Sequence, residues 1–255
     1  ERARDPVAAL LDLKICDPAC GSGHFLLAAG RRLARRIAQV RAGVGEPSPT
    51  DYQHALREVV GRCLYGVDIN EMAVELCKVS LWMEALEPGR PLSFLDHHIQ
   101  RGNALLGTTP ELFAQGLPEE AFAELTGDDP EVARRLKKRN RDERRGKAVG
   151  VQVTLGEAAE AAAVDTKTLA RQAAVIDQSS DDDLAAVTAK ERRYREFVGS
   201  PAYRDALFLA DAWCAAFVWP KSAATEAIAP TQARVQIVQR DPNKAPAGLR
   251  DKVAD

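Results

Sequence analysis

Apolar residues cluster in the first half of the chain into three short runs, each ending on a small or acidic residue, with helical periodicity filling the gaps between them. Asp5 followed by Pro6 is a helix start, so residues 5–12 predict a short helix. Residues 13–17 predict a strand. From 23 to 41 apolar residues recur at helical spacing (Phe25, Leu26, Ala29, Leu33, Ile37, Val40), with Arg31, Arg32, Arg35, Arg36 and Arg41 on the other side. A Gly/Pro/Ser loop covers 43–50, and 51–60 predicts another helix. The second run, 62–70, predicts a strand closing on Asp68. The helix expected over 70–86 offers Met72, Val74, Leu76, Cys77, Leu81 and Trp82 for packing. Residues 92–99 suit a strand or a loop, and 99–106 form the third strand-to-loop transition.

Beyond Thr108 the strand signal stops. Residues 127–147 open with acids and end in a dense basic run, the order that complements a helix dipole. Helices are expected over 156–178, over 181–199 behind the Asp181-Asp182-Asp183 cap, and over 201–218 behind Pro201. In the last of these, apolar residues at 207, 208, 209, 213, 217 and 219 predict the best-buried face. Past Pro220 the chain is rich in Ala, Pro and charge, with one apolar run from Val235 to Val238. The expected organisation is therefore an α/β segment over 1–126, a helical insertion over 127–220, and a loosely ordered tail over 221–255.

Composition narrows the reading only locally. The net charge of −2 favours no partner class, but residues 134–147 hold nine Lys/Arg against two acids. Arg134, Arg135, Lys137 and Lys138 are thus candidates for DNA phosphate contact, against the plain reading of a solvated face. No run of 18 apolar residues or signal-like start is present, so no membrane partner and a cytoplasmic location are expected. The five cysteines form no C-x-x-C pair and are expected as reduced thiols. Of the four histidines, His97 and His98 are adjacent. In a strand they would point to opposite faces, so no metal is expected.

The chemistry concentrates in Asp17-Pro18-Ala19-Cys20-Gly21-Ser22-Gly23, a small-residue turn between the first strand and the helix after it. Glycines let the backbone turn tightly and approach a ligand, while the following helix presents unpaired N–H groups and a positive dipole end. Leu26 breaks the G-x-G-x-x-G dinucleotide fingerprint, and no Gly-Lys-Ser/Thr follows, which disfavours a phosphate ligand. Ligands of doubly wound sheets lie at the carboxyl ends of the strands. Asp68 is placed there to accept both hydroxyls of a ribose, against the plain reading of a cap for the helix starting at Asn70 or Glu71.

These seven residues resemble the S-adenosylmethionine motif of the DNA adenine-N6 methyltransferases, in the form used by large type I, type IIG and phage-defence (BREX-like) enzymes. The resemblance implies a Rossmann-like class I methyltransferase sheet, here partial, with S-adenosylmethionine as cofactor. It implies a cofactor site at Asp17, Pro18, Ala19, Cys20, Gly21, Ser22 and Gly23. Within Gly66-Val67-Asp68-Ile69-Asn70, Asp68 would hold the ribose and Ile69 would pack on adenine. At Gly102-Asn103, Asn103 would meet the adenine edge, with Leu105 beside it. The implied partners are double-stranded DNA with a flipped adenine and restriction or defence-system subunits. The family's Asn/Asp-Pro-Pro-aromatic motif, which accepts the hydrogens of the target amine, is not in this sequence. The expectation is a cofactor-binding portion whose catalytic half follows Asp255. Two other classes remain open: a methyltransferase of another substrate, and a non-catalytic DNA- or protein-binding module on a degenerate methylase fold.

Overall fold

A computed structural model describes residues 5–146 and 166–254. In chain order the elements begin with α1 (Pro6–Leu11), β1 (Ile15–Asp17), α2 (His24–Ala42), α3 (Pro49–Arg62), β2 (Leu64–Asp68), α4 (Glu71–Glu84) and β3 (Ile99–Arg101). They continue with α5 (Pro110–Gln115), α6 (Pro130–Arg144), α7 (Thr166–Asp177), α8 (Leu184–Val198) and α9 (Pro201–Val218). Short α10 (Ala223–Glu226), α11 (Gln232–Arg240) and α12 (Leu249–Ala254) follow. The described chain is mostly helical around a small parallel sheet. The part of the helix expected over 156–165 lies outside the described residues, as does Lys147.

The sheet has the order β1-β2-β3, with Ile15 opposite Leu64, Asp17 opposite Gly66, and Asp68 opposite Arg101. Parallel neighbours need a crossover, supplied by α2 and α3 for the first pair and by α4 for the second. Because all three strands run the same way, the glycine loop, Asp68 and Gly102-Asn103 leave from one end of the sheet.

Two compact units make up the chain: Glu1–Leu105 with Arg171–Phe197, and Leu106–Ala170 with Val198–Asp255. These boundaries differ from the linear division at 126 and 220, because residues 171–197 group with the sheet. The bonds responsible are long-range in sequence: Lys14 Nζ donates to Asp177 Oδ2 at 2.7 Å, and Gln100 Nε2 donates to the Tyr194 hydroxyl at 2.7 Å.

In the sheet unit Leu26, Leu33, Ala34 and Ile37 of α2 meet Leu56, Val59 and Val60 of α3 and Leu64 of β2, all buried. Gly30 gives α2 close approach to the sheet, since a Cβ there would lie 3.1 Å from Leu64 Cδ1. Two expected packing faces are corrected. Phe25 is 80% exposed, because the first turn of α2 projects beside the glycine loop rather than over the sheet. On α4 the buried positions are Val74, Cys77, Lys78 and Leu81, so Met72 and Leu76 face outward.

The second unit centres on Phe208, Leu209, Trp213 and Trp219, joined by Leu117, Phe122 and Leu136. The tail expected to be loosely ordered over 221–255 instead includes, among its described residues, helices that bury Val235, Val238 and Leu249 in this core. A polar clamp fixes them. Asn140, fully buried, donates to Leu117 O and accepts from Gln232 N, and Gln232 Oε1 accepts from Leu117 N. Both ends of the Asn140 amide are paired in that clamp, as a buried polar group that specifies structure requires.

Candidate functional site

The turn after β1 is built by its small residues. Gly21 has φ +53° and Gly23 φ +87°, a left-handed backbone that side chains resist. Cys20 N donates to Val67 O at 3.0 Å and Gly23 N to Cys20 O at 2.8 Å, tying the turn to β2 and closing it on itself. Behind the turn the packing is tight. A Cβ on Gly66 would meet Cys20 Cβ and Sγ at 3.0 Å, and one on Gly23 would meet Cys77 Sγ at 2.8 Å. Gly66 and Cys77 therefore help to shape the loop, roles the sequence reading did not assign. Glycine inside a strand does carry the general signal of close backbone approach. Burial raises the pKa of the Cys20 thiol, and pushes those of Cys63 and Cys77 up to about 11 and about 12. All three stay protonated near neutral pH and serve as small packing groups.

Asp68 links the two motifs directly. Its Oδ1 accepts from Asn70 N and its Oδ2 from Gly21 N, both at 2.9 Å. These backbone bonds, from Asn70 first and then Gly21, lower its pKa below the usual carboxylate range. The cap of α4 itself is Asn70, whose side chain accepts from Met72 N. Each Asp68 oxygen keeps lone-pair capacity for a hydroxyl donor.

Around this cradle, Ile69, Phe25 and Leu105 are 68%, 80% and 94% exposed. Asn103 Oδ1 accepts from Leu105 N, shaping the turn after β3. Asp17 Oδ1 accepts from Ala19 N, while its buried Oδ2 has no hydrogen-bond partner. Glycine 21 has nothing within 4 Å of its Cβ position, and no side chain caps the amino end of α2. An anionic acceptor pair, an orphaned buried oxygen, open space over a glycine and uncovered apolar side chains fit a ligand with hydroxyls, a cationic part and a flat apolar part.

Of the 127–147 stretch, Pro130–Arg144 form α6 of the second unit. Its buried stripe is Val132, Ala133, Leu136 and Asn140; Arg134, Arg135, Lys137, Lys138 and Arg139 are exposed, whereas Glu143 turns inward and accepts from Ala233 N at 2.9 Å. Arg134 pairs with Glu131 at 3.1 Å, and Arg135 pairs with Glu226 through two bonds of 2.8 and 2.7 Å.

His97 and His98 occupy the turn at 96–98 before β3, not a strand, so the opposite-faces expectation fails. Their rings lie 4.0 Å apart, and both address Asp177. Among the described residues no helix is long and apolar enough to cross a membrane.

Comparison with known proteins adds the family. A profile for the MmeI DNA-methyltransferase domain matches residues 5–90, which hold both the glycine loop and Asp68. The profile for the Eco57I restriction-modification methylase matches residues 62–197, more than half of the chain. The chain belongs to the Eco57I restriction-modification methylase family. Among curated relatives, "Putative type II restriction enzyme and methyltransferase RM.MjaORFECS2P" of Methanocaldococcus jannaschii is 34% identical over 112 residues, 40% of this chain and 9% of that protein. The adenine-specific methyltransferase PglX of Streptomyces coelicolor is 41% identical over 75 residues, 29% of this chain and 6% of that protein. The matched stretch thus spans less than a tenth of either relative. No solved structure matches the chain.

Proposed function

We propose that this chain is the S-adenosylmethionine-binding portion of a DNA adenine-N6 methyltransferase of a restriction-modification or phage-defence system, on a partial Rossmann-like class I sheet. The observation that carries the reading is the bond from Gly21 N–H to Asp68 Oδ2, which joins the ends of two adjacent parallel strands into one cradle. In this reading the 17–23 loop holds the methionine portion and Asp17 Oδ2 receives its ammonium. Asp68 takes the ribose hydroxyls, while Ile69, Asn103 and Leu105 bound the adenine. The cofactor supplies an electrophilic methyl group. Double-stranded DNA with a flipped adenine is the substrate in this reading, and the adenine specificity in the name of the PglX relative supports the choice of base. In this reading the cofactor portion lies in the sheet unit, Glu1–Leu105 with Arg171–Phe197, and the second unit is accessory to it.

Titration calorimetry with S-adenosylmethionine tests the reading, alongside radiolabelled methyl transfer to unmethylated genomic DNA. Saturable cofactor binding is expected. Transfer is not, because nothing in the sequence matches the acceptors that orient an exocyclic amine, and an aromatic amine is a poor nucleophile without that alignment. Absence of cofactor binding by a folded chain overturns the proposal. Incorporation into adenine N6 by this chain alone overturns the division of labour.

The α6 lysines are proposed as accessory phosphate contacts. Charge reversal, Lys137→Glu with Lys138→Glu, is expected to weaken DNA binding equally across sequences and to flatten the log–log salt dependence by roughly 0.9 per lost contact. Fluorescence anisotropy at several salt concentrations measures both. Identical salt slopes in variant and parent leave α6 as a solvated face.

A further inference from the structure

The glycine loop uses the carboxyl ends of the strands. At the opposite end, Lys14 precedes β1 and the 96–98 turn precedes β3, and there the last residue of α7, Asp177, meets both histidines. We propose that His97, His98 and Asp177 bind one transition-metal dication of the zinc type.

Three observations converge. First, the ligand atoms are gathered: His98 Nε2 lies 2.6 Å and His97 Nε2 3.7 Å from the same oxygen, Asp177 Oδ1, and one donor atom from each residue falls within 4.8 Å of the others. In a tetrahedral sphere with bonds of about 2.1 Å, donor atoms sit about 3.4 Å apart. Both distances to Asp177 Oδ1 bracket that separation, so the ligand atoms lie near the spacing an ion needs. Second, the His97 side chain is only 8% exposed, yet neither ring nitrogen has a hydrogen-bond partner; His98 Nδ1 also lacks one. Buried polar atoms in folded proteins are normally satisfied, so an imidazole held there with an unused lone pair points to a missing electrophile. Third, the donor set is chemically coherent. Two imidazoles and one carboxylate form an N/O set suited to Zn²⁺, Co²⁺ or Ni²⁺, with a fourth position left for water.

The surroundings orient the carboxylate. Asp177 Oδ2, the oxygen turned away from the histidines, accepts from Lys14 Nζ at 2.7 Å and from the Tyr65 hydroxyl at 3.1 Å, as outer partners of a metal carboxylate do. Two lysines face the cluster and weaken its hold on a cation. Lys14 is half exposed and can turn to solvent. Lys190 is buried, its Nζ 3.4 Å from Asp177 O, and the buried, unpartnered Asp181 Oδ2 supplies an opposing charge. The ion would fasten the 171–197 segment to the sheet, because Asp177 comes from one and both histidines from the other.

The test uses the full chain, stripped with chelator and kept reduced, titrated with Co²⁺ as spectroscopic probe and Zn²⁺ as competitor. One equivalent per chain is expected, with visible ligand-field bands, no thiolate charge-transfer band, and a higher melting temperature. His97→Asn makes the sharpest variant, since His97 donates and accepts nothing that folding needs. It and His98→Asn are each expected to weaken binding more than about tenfold while His97→Asn melts like the metal-free parent. No stoichiometric binding, unchanged affinity in a His97→Asn chain that melts normally, or a thiolate band placing the ion on cysteine would each overturn the site.

Discussion

Replacing Asp68 by alanine is expected to weaken S-adenosylmethionine binding by roughly tenfold to a hundredfold, the loss that accompanies removal of charge-assisted hydrogen bonds. The effect has two sources that a pair of variants separates. One is the direct loss of acceptors for the ribose hydroxyls. The other is release of the glycine loop, because Gly21 N loses its partner, and with it goes the Asn70 N–H bond at the entrance to α4. Asp68→Asn keeps one carbonyl acceptor and is expected to fall between parent and alanine variant. The depressed pKa fixes the pH behaviour: the carboxylate's contribution is complete above the ordinary carboxylate range and lost only as pH falls through the folded-state value, so affinity should be flat near neutrality. Calorimetric titrations of the three proteins, with thermal melts to confirm folding, decide it. An alanine variant that binds as tightly as the parent removes Asp68 from the site.

How far the cradle could be foreseen follows from the kind of constraint involved. The 17–23 turn and Asp68 were legible because both depend on local backbone demands. A left-handed turn selects Gly21 and Gly23, and a parallel strand delivers its last residue to the carboxyl end of the sheet. The longer helices were legible for the same reason, down to Pro201 at the start of α9 and the acids at the start of α6. Burial on those helices was less so. Periodicity gives an apolar stripe, yet Phe25 and Met72 stand in the first turns of α2 and α4, where the helix overhangs the loop end of the sheet and has nothing to pack on.

Long-range pairing left no local trace at all. Lys14 and Asp177 are 163 residues apart and His98 and Asp177 79 apart, so neither the grouping of 171–197 with the sheet nor the histidine cluster could be read from spacing. Burial alone would raise the Asp177 pKa, but the bonds from His98 and Lys14 outweigh it and hold the carboxyl well below the usual range. Burial pushes His97 down to about 2, which keeps that ring neutral. The order of the 221–255 segment was missed for a related reason. Its apolar content is low, and it is held by the Asn140–Gln232 clamp and the buried Lys221–Asp128 pair at 3.0 Å, contacts with residues about 90 positions upstream.

The two loop glycines are expected to fail differently when each becomes alanine, and the difference maps the cradle. At Gly23 the added Cβ meets Cys77 Sγ at 2.8 Å, and Cys77 is fully buried on α4 with nowhere to withdraw. Left-handed strain of about 1–2 kcal/mol adds to an overpacking cost of about 1–3 kcal/mol. Together these consume a large part of a typical domain's stability of about 5–15 kcal/mol. Gly23→Ala should therefore melt well below the parent and lose cofactor binding along with the geometry of the turn. Adding Cys77→Ala should recover the overpacking share and leave the strain. At Gly21 the φ of +53° suits the left-handed region, and nothing lies within 4 Å of the new methyl. Gly21→Ala should cost only the strain, so its melt stays close to the parent's. Yet that methyl projects into the space the proposed cofactor needs, and affinity should drop in a protein that is otherwise sound. Thermal melts and cofactor titrations on the three variants give the comparison. Equal melting losses at both positions would mean that Cys77 does not brace the loop. Undiminished affinity in Gly21→Ala would place the cofactor somewhere other than over this turn.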